Sequence, residues 1–148
     1  MSYEVIEAAV EGRIEALSNF GTDQVTIGDW RVLSGGHPWC VMLEYGGVEI
    51  EYESQGGGTT FNWVVRVHLY GRYTDDATVR NNMRDRRQEI LDQLLKFPQL
   101  NGTAGVIDSI PRRGQWDDEQ EVTIGGVKFL HETIEVEVEE QVAITLSE

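Results

Sequence analysis

Apolar positions near the N-terminus recur with the period of a helix. Placing Val5 at zero and stepping roughly 100° per residue gathers Ile6, Ala9, Val10, Ile14, Ala16, Leu17 and Phe20 on one half of the wheel. Glu4, Glu7, Glu11 and Glu15 fall on the other half. This predicts an amphipathic helix with one face for a core and one for water. Gly12 weakens its middle by roughly 1 kcal/mol relative to Ala. Asn19-Phe20-Gly21 supplies a stop, since Gly or Asn often follows the last turn.

From residue 22 to 73 the period changes to two. Val25-Thr26-Ile27 predicts a short strand, cut by Gly28-Asp29. Trp39 to Tyr45 predicts a second, started by Pro38 and ended by Gly46-Gly47. Val48, Ile50 and Tyr52 then alternate with Glu49, Glu51 and Glu53, so each set occupies one side of a strand. Gly56-Gly57-Gly58 breaks the pattern. Phe61 to Tyr73 reads as the longest strand, with Phe61, Trp63, Val65, Val67 and Leu69 on one face and Asn62, Arg66, His68 and Tyr70 on the other.

A second helix is predicted from about Asp75 to Lys96. Thr74 or Asp75 is a good N-cap, Val79, Met83, Ile90 and Leu94 form the stripe, Leu91 and Leu95 widen it, and Pro98 stops it. Strand signals return at Val106 to Ile110. A loop carrying Pro111, Arg112, Arg113 and Asp117-Asp118-Glu119 follows. Val122-Thr123-Ile124 then turns at Gly125-Gly126 into an arm from Lys128 to Ile144. In that arm Leu130, Ile134, Val136 and Val138 face one way, and His131, Thr133, Glu135, Glu137 and Glu139 the other.

The helices do not alternate with strands as a parallel βαβ fold requires. The expected fold class is α+β: one domain over residues 1–148, a mostly antiparallel sheet, and two principal helices packed on one face. Seven of the 16 glycines lie between residues 35 and 58, which predicts a long Gly-rich hairpin with a mobile tip.

Charge changes the picture more than size does. The 148 residues carry 26 acidic and 12 basic side chains, a formal net charge of −14. That argues against a general nucleic-acid-binding module and against docking on an anionic membrane surface. The lone Cys40 excludes an intrachain disulfide and a Cys-based zinc site. No apolar run approaches transmembrane length, and the acidic start lacks the basic region of a signal peptide. A reduced, soluble, intracellularly made protein is expected.

Motifs for catalysis are sparse, and no catalytic, cofactor or metal site is predicted. There is no G-x-S-x-G elbow, P-loop, Asp-rich calcium loop or G-x-G-x-x-G after a strand. His37, His68 and His131 are far apart in sequence and read as polar face positions. Gly56-Gly57-Gly58 could cradle a phosphate but has no following Lys and leads into a strand. His37 and Cys40 flank a proline, a poor geometry for a Cys–His dyad; Cys40 reads as a small buried hydrophobe.

The glutamates are more informative. Glu49, Glu51 and Glu53 form one acidic row, and Glu135, Glu137 and Glu139 another, with Glu132 and Glu140 nearby. A row of like charge costs stability unless it is solvated or partnered. The rows are therefore a solvated sheet face, a lumen lining, or the docking face for a basic partner. A hard-cation site is a weaker alternative. Ten of the 12 basic residues are Arg. Arg80, Arg84 and Arg87 border the apolar stripe of the second helix, a pattern that suits a subunit interface, with intrachain pairing to acidic neighbours as the alternative.

Taken in order, these elements resemble the small ring-forming tail terminator (tail completion) proteins of long-tailed bacteriophages, the lambda U-like group. The resemblance rests on the amphipathic helix ending near Leu17, on His37-Pro38-Trp39-Cys40-Val41, and on Phe61 to Tyr70 leading into Thr74-Asp75-Asp76. It closes on Gly125-Gly126-Val127-Lys128-Phe129-Leu130. It implies a structural protein, not an enzyme, without cofactors, forming a homo-oligomeric ring, expected to be a hexamer. The ring would cap the tail tube, end its polymerisation, and dock the head. The implied partners are the major tail tube protein, the head-completion or connector protein, and DNA that passes without specific binding. The implied location is the virion tail at the head–tail junction, after assembly in the host cytoplasm. An acidic lumen would keep phosphates from adhering. The Gly-rich segment of residues 46–60 would order on docking, and the Arg-bearing helix would face a neighbour or the outside. The alternatives are a neck or head-completion protein, a tail-tube-like subunit, an acidic binding module mimicking DNA, or a metal-dependent hydrolase in which His or Asp converges with the Glu rows.

Overall fold

The computed structural model describes residues 3–29, 36–52, 58–96, 106–111 and 120–143. In chain order the elements are α1 (Tyr3–Glu15), β1 (Val25–Ile27), β2 (Trp39–Tyr52), β3 (Gly58–Arg72), α2 (Asp76–Lys96), β4 (Val106–Pro111), β5 (Gln120–Ile124) and β6 (Val127–Ala143). The strands form one sheet in the order β1-β2-β3-β6-β4, with β5 also paired to β6. Among the described strands only β1 runs parallel to its neighbour; every other pairing there is antiparallel. Both helices pack on one face, so the molecule is a small α+β domain.

The core lies between that face and the helices. Ile6, Val10 and Ile14 of α1 and Val79, Met83, Ile90 and Leu94 of α2 meet Val41, Leu43, Val65, Val67, Leu69, Leu130, Ile134, Val136 and Val138. All of these are buried, as the two periodicities predict. The start of α2 is fixed by Asp75, whose Oδ1 accepts from Thr78 N–H at 2.9 Å. The turn between β5 and β6 uses Gly125 and Gly126, both at positive φ (59° and 80°), which suits a two-residue hairpin.

Several expectations are corrected. Gly46-Gly47 does not end a strand: β2 runs on to Tyr52 through a register shift between Tyr45 and Gly47. This is a β-bulge, with Gly47 at φ 116°. A Cβ on Gly46 would lie 2.7 Å from Val64 Cγ1, so glycine there lets two strands approach, not separate. The longest described strand is β6, with 17 residues against 15 for β3. The first helix stops at Glu15, and Phe20 reaches the core from beyond it. Val5, placed on its apolar face, is 47% exposed, while Glu7, placed on its wet face, is 7% exposed. Tyr3 explains the second case: its hydroxyl donates to Glu7 Oε2 at 2.7 Å. Burial and that carboxylate raise the Tyr3 pKa. The tip of the Gly-rich hairpin, Glu53 within it, the Gly56-Gly57 pair, Pro98 and the loop of residues 112–119 lie outside the described residues.

Candidate functional site

The face of the sheet opposite the helices carries most of the polar chemistry. Antiparallel partners share a face, so the register decides what meets there. Glu49 pairs with Asn62, which pairs with Glu139. Glu51 pairs with Thr60; Gly47 pairs with Val64, which pairs with Glu137. Glu44 pairs with Arg66, which pairs with Glu135. The two predicted acidic rows thus lie on one face, about 10 Å apart across β3. Glu49 and Glu51 are exposed; Glu135, Glu137 and Glu139 are half-buried.

Arg66 answers part of this charge within the face. Arg66 Nη1 lies 3.5 Å from Glu44 Oε1 and Arg66 Nε lies 3.6 Å from Glu135 Oε1, tying three strands together. Glu49, Asn62 and Glu137 with Gly46, Gly47, Val48 and Val64 line a depression of ≈ 390 Å³. The bulge creates it, because two glycines leave no side chain over Val64.

Glu132 and Glu140 do not belong to the row. They fall on the helix side of β6 and are buried, at 3% and 1% exposure. Arg87 Nη1 donates to Glu132 Oε1 at 2.6 Å, and Trp63 Nε1 donates to Glu140 Oε1 at 3.3 Å. Arg80 Nη2 lies 3.8 Å from Glu121 Oε1, and Arg84 is exposed. Arg80 and Arg87 therefore engage carboxylates of their own chain, while Arg84 points to solvent.

The histidines change most on folding. His68 on β3 and His131 on β6 come edge to edge, with His68 Nδ1 and His131 Nε2 2.9 Å apart. One ring N–H donates to the other ring's lone pair. Thr133 Oγ1 lies 3.2 Å from that His68 nitrogen. The far side of His68, Nε2, lies 3.4 Å from Glu44 Oε1. Tyr70 stacks on His131 at 4.6 Å between centroids. Burial, aided by His68, lowers the His131 pKa to about 4. Burial, aided by Glu44, pushes Tyr70 up to about 12. The three groups form a continuous polar ladder with Arg66, and spacing in sequence gave no hint of it. The one available signal was that His68 and His131 both occupy the non-core parity of their strands.

No known protein-family model matches the chain, and no curated protein matches it either.

The remaining chemistry is quiet. Cys40 is buried with Met42, Tyr70 and Phe129 in a second small core under Val122, Ile124 and Val127. Burial pushes its thiol up to about 11, away from a reactive thiolate. Among the described residues no three His, Cys, Asp or Glu side chains converge as metal ligands. His68 and His131 converge with each other and with Glu44, yet the hydrogen bond between the rings already occupies the facing lone pair. No helix among the described residues is long and apolar enough to cross a membrane.

Proposed function

We propose that this chain is a structural assembly subunit that forms a ring, expected to be a hexamer, at the end of a phage tail tube. The observation that carries the reading is the gathering of both glutamate rows on one helix-free sheet face. Five described carboxylates of those rows share a face with Arg66, which reaches Glu135 and the neighbouring Glu44. Such a face costs stability in a monomer through like-charge repulsion. A lumen that conducts DNA makes use of it, because one acidic face repeated around a ring sums to a field that keeps phosphates off the wall. The resemblance of element order to tail terminators agrees with this. In this reading the helix layer faces outward or toward a neighbour, with Arg84 among its exposed cations. The tail tube subunit and the connector are the partners above and below.

The test is light scattering and negative-stain imaging of the purified protein over a concentration series, with and without tail tubes. Rings with a central hole, or density capping tube ends, are expected. A compact monomer that ignores tubes overturns the reading in favour of an acidic binding module.

A further inference from the structure

The outer edge of β2 carries an inference that does not rest on the ring. β1 covers only the start of β2, pairing Val25 to Ile27 with Val41 to Leu43. That ladder closes with Gly28 N–H donating to Leu43 C=O at 3.0 Å. From Glu44 to Tyr52, β2 pairs with β3 on one side, and among the described residues no strand pairs with it on the other. An extended edge with open backbone groups is a template for an added strand.

The side chains along this edge are sorted by face. Tyr45, Val48 and Ile50 sit opposite Val65, Trp63 and Phe61, on the helix side. Tyr45 and Ile50 are 47% and 46% exposed, unusual for large apolar residues next to a packed aromatic group. That group joins Tyr45 to Tyr3 and Trp63, with ring centroids 4.7 Å and 6.4 Å away. Glu49 and Glu51 project from the other face and are exposed.

We infer that the edge of β2 binds an extended segment of a partner protein in which apolar residues alternate with Lys or Arg. An added strand places alternate side chains on the two faces of the sheet. Its apolar residues would extend the row of Tyr45, Val48 and Ile50. Its cations would stand beside Glu49 and Glu51 on the opposite face. Charge also selects against a second copy at this edge: two-fold pairing of β2 with itself sets glutamates near glutamates, and like charges across strands destabilise. The bulge at Gly46-Gly47 further discourages flat self-pairing.

The probe is a nine-residue peptide alternating Val and Lys, mixed with the full chain. Expected results are slowed exchange at those amides of residues 44–52 that do not bond to β3, and no binding by the matching Val/Glu peptide. A backbone-ester analogue of the Val/Lys peptide keeps every side chain but loses the amide donors, and its binding should fall steeply. Glu49→Lys with Glu51→Lys should weaken the Val/Lys peptide about tenfold, from two cross-strand charge pairs reversed, and should admit the Val/Glu peptide. Equal binding by the ester analogue would reduce the edge to an acidic patch and overturn the inference. So would outward amides at 44–52, those not bonded to β3, already protected in the dilute free chain, or their protection growing with protein concentration, which would assign the edge to the chain itself or to a second copy.

Discussion

At the scale of single residues, the polar groups inside the fold are the ones to test. Glu132 is a carboxylate on the core face of a central strand, and Arg87 reaches it at 2.6 Å from α2. Removing one partner of a buried pair takes away a close counter-charge. Arg87→Ala is therefore expected to cost about 3 kcal/mol in urea unfolding, while Arg87→Met with Glu132→Leu should recover most of the loss. His131 gives a pH signature. Its folded pKa lies near 4, below the 6.5 of an unperturbed histidine, because burial and His68 disfavour its charge. Between those values the unfolded chain binds a proton that the folded chain refuses, so stability falls as pH drops from 6.5 to 4 and is fully retained above 6.5. Subtracting the melting profile of His131→Phe from that of the native protein should isolate a loss on the order of 1–2 kcal/mol across that window. No difference there would mean that the ring is solvated.

At the scale of elements, each boundary follows from a local device. Asp75 caps α2 through Thr78 N–H, so Asp75→Ala should lower stability by about 1 kcal/mol, and Asp75→Asn by less. The urea midpoint measures both. The glycines of β2 teach a different lesson. A Gly-Gly pair reads as a strand end because it so often sits in a turn. Here one glycine admits Val64 from the next strand and the other supplies the φ of 116° that a bulge requires. Both functions depend on a neighbour that is 17 or 18 positions away, outside any local window. Gly71 is similar: a Cβ there would collide with the Trp39 ring across the β2–β3 pairing.

At the scale of the whole molecule, the sheet separates two environments. The helix side is mostly apolar, with Glu7, Glu132 and Glu140 buried in it and Tyr45 and Ile50 exposed toward the open edge of β2. The opposite side grades from the small core around Cys40 and Phe129, through the His68–His131 ladder, to the glutamates flanking Asn62. A formal charge of −14 is thus not spread evenly. Part of it is concentrated where, among the described residues, no helix covers the sheet, and a ring or a basic partner would answer it there.

The sequence by itself determined the kind and order of the elements and most of their core faces. Periods of 3.6 and two mark Ile6 to Ile14, Val79 to Leu94 and Leu130 to Val138 as core-facing, because burying apolar area is the dominant driving force and each backbone geometry repeats at its own interval. It also determined that Glu135, Glu137 and Glu139 share a side of one strand. Only the tertiary structure decided that Glu49 and Glu51 share that side of the sheet with them. That outcome depends on β3 lying between β2 and β6, and on the bulge that resets parity after Tyr45. The same pairing brought His68 within 2.9 Å of His131 across 63 positions. Contacts of that range are set by register, and register is fixed by the summed packing of a whole face, which no local stretch of residues contains.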